Sequence, residues 1–170
     1  MVNLLNISIL LQCWFVTVLA EPIKFDLGGT WHLSNSNGSI HVNASVPGLA
    51  HTDLLEAGEI SEPYHGYNDK DLAWIVAENW KYSLDFVLPL DVLQSDHVLL
   101  VFEGLSTIAA VFLNGKLVLS AENQFRVWNV EVNGFLQAGS NTLVVSFNSS
   151  TAYAAAADQA YNMSKHNITS

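Results

Sequence analysis

Glu56, Glu59 and Glu62 fall close together in a chain of 170 residues. Two carboxyl groups set across a glycosidic bond can act as acid/base and nucleophile, so this cluster is the first place to look for sugar chemistry. Its setting points elsewhere: Glu56 lies on the polar side of a short amphipathic segment and the other two follow it, which reads as a solvated face. Asn68-Asp69-Lys70-Asp71 offers oxygen ligands at alternate positions, as a calcium loop would. It lacks the glycine and the distal glutamate of an EF-hand and reads as a turn with a helix cap. His32 and His41 are expected to face each other across a hairpin, with His51 and His65 on or near loops. None of the four has the ligand spacing of a zinc site. There is no Gly-x-Ser-x-Gly elbow to present a nucleophile. Gly28-Gly29 reads as a strand-edge turn rather than a phosphate loop, which needs more glycines and a lysine. The expectation is no catalytic residue, no metal and no cofactor in this chain.

Aromatic rings are concentrated between Pro47 and Trp80. Rings beside amides and carboxylates suit sugars, whose apolar faces stack while their hydroxyls take hydrogen bonds. Trp80 is in phase with Tyr82 and Phe86 and belongs to the core, while Trp74 is either a core anchor or part of a sugar platform. Tyr64, Tyr67 and Asn68 are the candidates for the rim of a sugar pocket.

These side chains need a scaffold, and the composition describes one. Half the residues are hydrophobic and only 13% are charged, which excludes a disordered tail. Six Lys plus Arg against sixteen Asp plus Glu give a net charge of −10, a field that disfavours nucleic acid and anionic membranes. Residues 4–19 are nearly all apolar, with no charged side chain before Glu21. Val18-Leu19-Ala20 has the side chains that a signal peptidase reads, so residues 1–20 are expected to be a signal peptide and 21–170 the mature domain. The rival is a membrane anchor, which wants charged flanks. Cleavage would remove Cys13, the only cysteine, leaving no disulfide and no thiol chemistry. Asn37, Asn43, Asn148, Asn162 and Asn167 each open an Asn-x-Ser/Thr sequon, consistent with N-glycosylation on the secretory route. The expected locations are the extracellular space, a lysosome or a vacuole.

Within the mature part, short alternating runs are separated by turn residues. Ile40, Val42 and Ala44 alternate with His41 and Asn43, and Trp80, Tyr82, Leu84 and Phe86 alternate with Lys81, Ser83 and Asp85. Residues 97–102 form a nearly continuous apolar run, fitting a strand covered on both faces. Residues 108–119 make a hairpin about Asn114-Gly115, a pair suited to the positive φ angles of a type I′ turn. Residues 125–132 and 142–147 predict two more strands. One helix is predicted over residues 50–57, ended by Gly58, and Asp69 is expected to cap a further turn through Leu72 and Trp74. About seven strands with one short helix predict an all-β antiparallel sandwich or jelly roll.

The order of these pieces carries a resemblance. Phe25-Asp26-Leu27-Gly28-Gly29-Thr30-Trp31 is followed by Val46-Pro47-Gly48, His51, Ile60 and Glu62-Pro63-Tyr64-His65-Gly66. Asn68-Asp69, Leu72, Trp74-Ile75, Asn79-Trp80, Tyr82, Phe102-Glu103-Gly104-Leu105 and Asn123-Gln124-Phe125-Arg126 come after. The series, over about residues 24–163, resembles the amino-terminal domain of glycoside hydrolase family 2 β-mannosidases, secreted fungal members especially. The resemblance implies a galactose-binding-like jelly roll, preceding an immunoglobulin-like domain and a (β/α)₈ barrel. It implies that both catalytic glutamates, and the Trp-Asp-Trp-Gly-Pro loop that reaches the mannose pocket, lie outside this sequence. No catalytic or substrate-binding role therefore transfers to a residue here. The partners implied are the rest of the parent enzyme and, through it, β-mannosides, with no membrane attachment after signal cleavage. The chain then reads as a domain missing its last strands, a scaffold inactive on its own. The alternatives are a free-standing secreted carbohydrate-binding module, the same domain of a β-glucuronidase or β-galactosidase relative, and a secreted sandwich that engages another protein.

Overall fold

The computed structural model describes residues 3–12, 23–62, 71–149, 151–155 and 158–159. Among the described residues eleven strands form two antiparallel sheets, more than the seven expected, because the amino-terminal stretch, Gly29–Asn35 and two short pieces also pair. The larger sheet runs in the order β4 (His41–Val46), β3 (Gly29–Asn35), β6 (Trp80–Val87), β11 (Ser140–Phe147), β8 (Ala109–Leu113), β9 (Lys116–Ala121). The smaller runs β10 (Trp128–Glu131), β7 (His97–Ser106), β1 (Asn3–Gln12), β2 (Lys24–Asp26), with β5 (Gly48–Leu49) also pairing to β1. This is the expected all-β jelly roll.

Its core follows from register. Because side chains alternate across a pleated strand, residues aligned on one rung share a face. Leu33, Tyr82, Val145 and Val111 are aligned across β3, β6, β11 and β8, and all four are 0% exposed. Trp80, Phe147, Ala109 and Ala121 form the next row, also buried. Tyr82 and Phe147, diagonal neighbours, meet edge to face with centroids 5.9 Å apart. From the opposite sheet β7 contributes Val98, Leu100, Phe102 and Leu105. With Val101 also buried, the run is covered on both faces as expected, although it continues to Ser106.

The hairpin forms where expected, with Asn114 at φ 52° and Gly115 at φ 77°. Helix α1 (Ala50–Glu56) ends in a Schellman arrangement: Gly58, at φ 76°, donates its N–H to Leu55 and Glu59 donates to Leu54. Two further short helices, α2 (Trp74–Ala77) and α3 (Leu90–Leu93), lie before and after β6.

Three expectations need correcting or completing. The strand expected over residues 125–132 is confined to Trp128–Glu131. Phe125 donates its backbone N–H to Asn123 Oδ1 at 2.9 Å, a local side-chain turn that competes with strand pairing, and its ring is 89% exposed. His32 and His41 do not face each other: His32 is paired with Asn43 and His41 with Ser34, so the two histidines are offset by one same-face position. The expected cap residue Asp69 lies outside the described residues; Leu72 is buried and Trp74 begins α2.

The stretch read as a signal peptide supplies β1, paired with β7 from Asn3↔Ser106 to Gln12↔His97. A leader removed after Ala20 would take this strand with it. Among the described residues no helix is long and apolar enough to cross a membrane.

Candidate functional site

The dense region opens where β4 passes into α1. The Val46–Pro47 peptide is cis, and Gly48 lies so close to the chain that a Cβ there would collide with the Ser45 carbonyl oxygen. That tight turn brings α1 back over the sheet and buries Ala50, Asp53 and Leu54. Asp53 Oδ1 accepts the Ser45 backbone N–H at 2.9 Å, and the Tyr82 hydroxyl donates to Asp53 Oδ2 at 3.4 Å. Burial raises the Asp53 carboxyl above the usual carboxylate range, outweighing these hydrogen bonds. Burial also pushes the Tyr82 phenol well above its ordinary value, and the Asp53 charge adds to it. His51, half-buried on the same helix, is held below the usual imidazole value by burial.

A second cluster stands at the entry to β6. The Trp80 indole N–H donates to the Ile75 carbonyl at 2.8 Å, fixing α2 against the strand. Ser149 donates its N–H to Asn79 Oδ1 at 2.7 Å and its hydroxyl to the Val76 carbonyl at 3.2 Å, so the end of β11 is tied to the same corner. Trp80 is core, 1% exposed, as its phase requires. Trp74 is 39% exposed, with its ring 6.1 Å from that of Trp80 and inclined at 45°. Of the two rings, Trp74 is the one a ligand could reach.

A third feature is the tip between β9 and β10. Arg126, the sole cation of its loop, lies over the Trp128 ring at 4.4 Å, and Ser106 donates its hydroxyl to Gln124 at 2.9 Å. Phe125 and Val127 project into solvent.

The sequence candidates divide accordingly. Tyr64, Tyr67 and Asn68 lie outside the described residues, as do His65 and most of the acidic loop 68–71. Glu56, Glu59 and Glu62 are exposed on α1 and the loop after it, which agrees with a solvated face. Among the described residues no group of three or more His, Cys, Asp or Glu could hold a metal ion. The sequons at Asn37, Asn43 and Asn148 are exposed, and Asn162 and Asn167 lie outside the described residues. Sequence reasoning missed the Asp53–Tyr82 pairing and the Phe125 tip. A sequence signal for the first was an aspartate on the apolar side of a short helix; the second had only the Asn-x-Phe turn pattern.

Two antiparallel sheets closed over one core, with an aromatic corner where α2 meets β6, define an all-β sandwich domain. The family described as the glycosyl hydrolase 2 galactose-binding domain-like domain matches residues 31–169, and the chain belongs to it. It is 33% identical over 144 residues to a beta-mannosidase of Mus musculus, covering 85% of this chain and 16% of that protein. It is 43% identical over 107 residues to beta-mannosidase A of Emericella nidulans, covering 63% and 11%. Among solved structures, the beta-D-mannosidase from Dictyoglomus thermophilum superposes with a TM-score of 0.73 at 32% identity, covering 75% of this chain and 16% of that one. The exo-chitosanase from Amycolatopsis orientalis, at 16% identity and a TM-score of 0.62, shares the fold. The chain spans about a sixth of the mouse relative's length.

Proposed function

We propose that this chain is the amino-terminal scaffold domain of a retaining exo-β-mannosidase, an enzyme that releases terminal β-D-mannose from oligosaccharides and glycoconjugates. The observation that carries the reading is the likeness to beta-mannosidases at 33% identity over 85% of the chain, joined to a crystal structure of a beta-D-mannosidase at a TM-score of 0.73. Retaining hydrolysis needs two carboxyl groups about 5 Å apart on either side of the glycosidic bond. Asp53 is buried on the inner side of α1 and bonded to Ser45 and Tyr82, and Glu56 and Glu59 are exposed. In this reading the bond-breaking pair belongs to polypeptide outside these residues, and this domain supports it.

In this reading the larger sheet is the rigid platform, Trp74 faces the sugar, and Tyr64, Tyr67 and Asn68 are the further candidates for contact with it. The product enters the secretory pathway through residues 1–20, carries N-linked glycans, and works outside the cell or in a lysosome or vacuole. Turnover of an aryl β-mannoside tests the reading. The 170-residue product is expected to be inactive, and the product of the gene's whole reading frame active on the β-mannoside and not on the β-glucuronide or β-galactoside. Activity in the short product defeats the scaffold assignment. Saturable mannoside binding by the short product, lost on changing Tyr64, Tyr67 or Asn68, would favour a carbohydrate-binding module instead.

A further inference from the structure

The chain contains three Asn-Gly pairs, Asn37-Gly38, Asn114-Gly115 and Asn133-Gly134. Such a pair is chemically labile, because glycine has no Cβ to keep its backbone nitrogen away from the preceding side-chain carbonyl carbon. The fold treats the three differently. At Asn114 the Nδ2 donates to the Phe135 carbonyl and to Asn141 Oδ1, both at 2.8 Å, while Oδ1 accepts the Thr142 N–H at 2.9 Å. At Asn133 the Nδ2 donates to the carbonyls of Ser95 and Asp96 at 2.8 and 3.1 Å, and Oδ1 accepts the Val98 N–H at 2.7 Å. Both side chains are half-buried and pinned at each end. Neither Cγ can turn toward the following nitrogen until those bonds open.

Asn37 stands apart. It is exposed in the turn from β3 to β4, and among the described residues its Nδ2 has no hydrogen-bond partner. Its Oδ1 accepts the Ser39 N–H at 2.8 Å, which polarises Cγ and sets a donor where negative charge would gather. Gly38, at φ 72°, leaves open space: only the tip of the His41 ring, at 4.0 Å, lies near the place a Cβ would take. Its N–H makes a single bond, 3.2 Å to the Asn35 carbonyl. Buried Asn35 holds the turn from within, accepting the Ile40 N–H and donating to Ser39 Oγ. The Asn37 amide nitrogen is the free member of that fixed frame.

We propose that Asn37 is a site of spontaneous, backbone-assisted deamidation, and that the fold withholds Asn114 and Asn133 from the same reaction. Hydroxide takes the Gly38 amide proton, and the Gly38 nitrogen bonds to Asn37 Cγ. The carbonyl electron pair moves onto Oδ1 and returns as the Cγ–Nδ2 bond breaks, and ammonia leaves with a proton taken from water. A second water opens the cyclic imide at either carbonyl, giving aspartate or isoaspartate at position 37. No oxidant or reductant is needed. The isoaspartate route lengthens the backbone of the turn that leads into β4. The Nδ2 that is lost is also the atom a glycan on the Asn37-Gly38-Ser39 sequon would occupy, so the two fates exclude each other.

The test uses the full chain made in a host that adds no N-glycans, kept in mildly alkaline buffer and in concentrated urea. Folded protein is selected by slow amide exchange at Val98 and Thr142, whose N–H groups the two pinned side chains hold. Peptide mapping with isoaspartate detection then follows all three pairs. In the folded protein position 37 is expected to convert at least about tenfold faster than 114 or 133, which react only through local opening. In urea the three are expected to convert at similar rates. Protein bearing a glycan on Asn37 is expected to stay intact there. Equal rates in the folded protein, an unreactive Asn37, or a preference for position 37 that persists undiminished in urea would each overturn the proposal. Conversion at 37 beneath an attached glycan would overturn the exclusion of one fate by the other. No mannosidase activity enters the measurement, so its failure and that of the enzyme reading are separate events.

Discussion

The side-chain amide of Asn114, at the left-handed corner of the β8–β9 hairpin, donates to the side-chain oxygen of fully buried Asn141 at 2.8 Å. Asn114 also donates to the Phe135 carbonyl and accepts the Thr142 N–H, while Asn141 closes its own loop onto Gln137 and Gly139. One amide pair thus ties the hairpin, the β10–β11 connection and the start of β11 together.

Either truncation removes several half-buried hydrogen bonds, so Asn114→Ala and Asn141→Ala should each cost about 1–2 kcal/mol. The double variant should cost clearly less than the sum, because one bond is lost in both singles. Asn114→Gly keeps the positive φ and isolates the hydrogen-bond part. Urea unfolding of the four proteins checks this, and strict additivity would contradict it.

Asp53 and Tyr82 give the stability a definite pH dependence. The folded Asp53 pKa lies above its unfolded value, so the native state holds that proton more tightly. Its contribution is full below the ordinary carboxylate pKa of about 4 and is lost as pH rises through the raised value. Asp53→Asn should flatten this slope and stabilise the protein at neutral pH relative to the parent. Unfolding midpoints followed across the acid range decide the matter.

Tyr82 acts by the same sign at high pH. The unfolded phenol ionises near pH 10, whereas the buried one stays neutral, so stability falls as pH rises beyond that point. Tyr82→Phe should remove this part of the alkaline loss, read from unfolding midpoints between about pH 9 and 11.

Gly48 and Gly134 make a matched pair. Alanine at 48 would drive its methyl into the Ser45 carbonyl and force the β4–α1 turn apart, whereas nothing lies within 4 Å of a Cβ at 134. Gly48→Ala should destabilise by about 1–3 kcal/mol or more, and Gly134→Ala by no more than about 0.5 kcal/mol. Thermal midpoints of the two variants are the measurement.

Trp80 and Trp74 should differ as sharply. Trp80→Ala empties a buried site and orphans the Ile75 carbonyl, costing about 3–5 kcal/mol. Trp74→Ala, at a half-exposed ring, should leave the unfolding midpoint nearly unchanged. In the longer enzyme proposed above, its effect should appear in KM rather than in stability.

Much of the architecture was legible before any coordinates. Asn114-Gly115 announced its hairpin because few other pairs accept two positive φ angles, and the alternation of Trp80, Tyr82, Leu84 and Phe86 announced β6 with its core face. Gly58 marked the end of α1 for the same reason of backbone freedom. The errors share a cause. Residues 125–127 have strand-like composition, but a local Asn123 side-chain bond and solvent exposure win over pairing that no neighbour supplies. His32 and His41 sit on paired strands as expected, yet register depends on the length of the intervening turn, which alternation alone does not give.

What the sequence determined by itself is local: which segments alternate, where the chain must turn, and which family pattern those turns spell out in order. Only the tertiary structure decided what lies beside what. It buried Asp53 against Tyr82, 29 residues away, and joined Asn114 to Asn141 and Ser149 to Asn79. It also set the apolar amino-terminal stretch against β7. Such contacts depend on strand order and register, which emerge only when two sheets close over one core, so no window along the chain contains them.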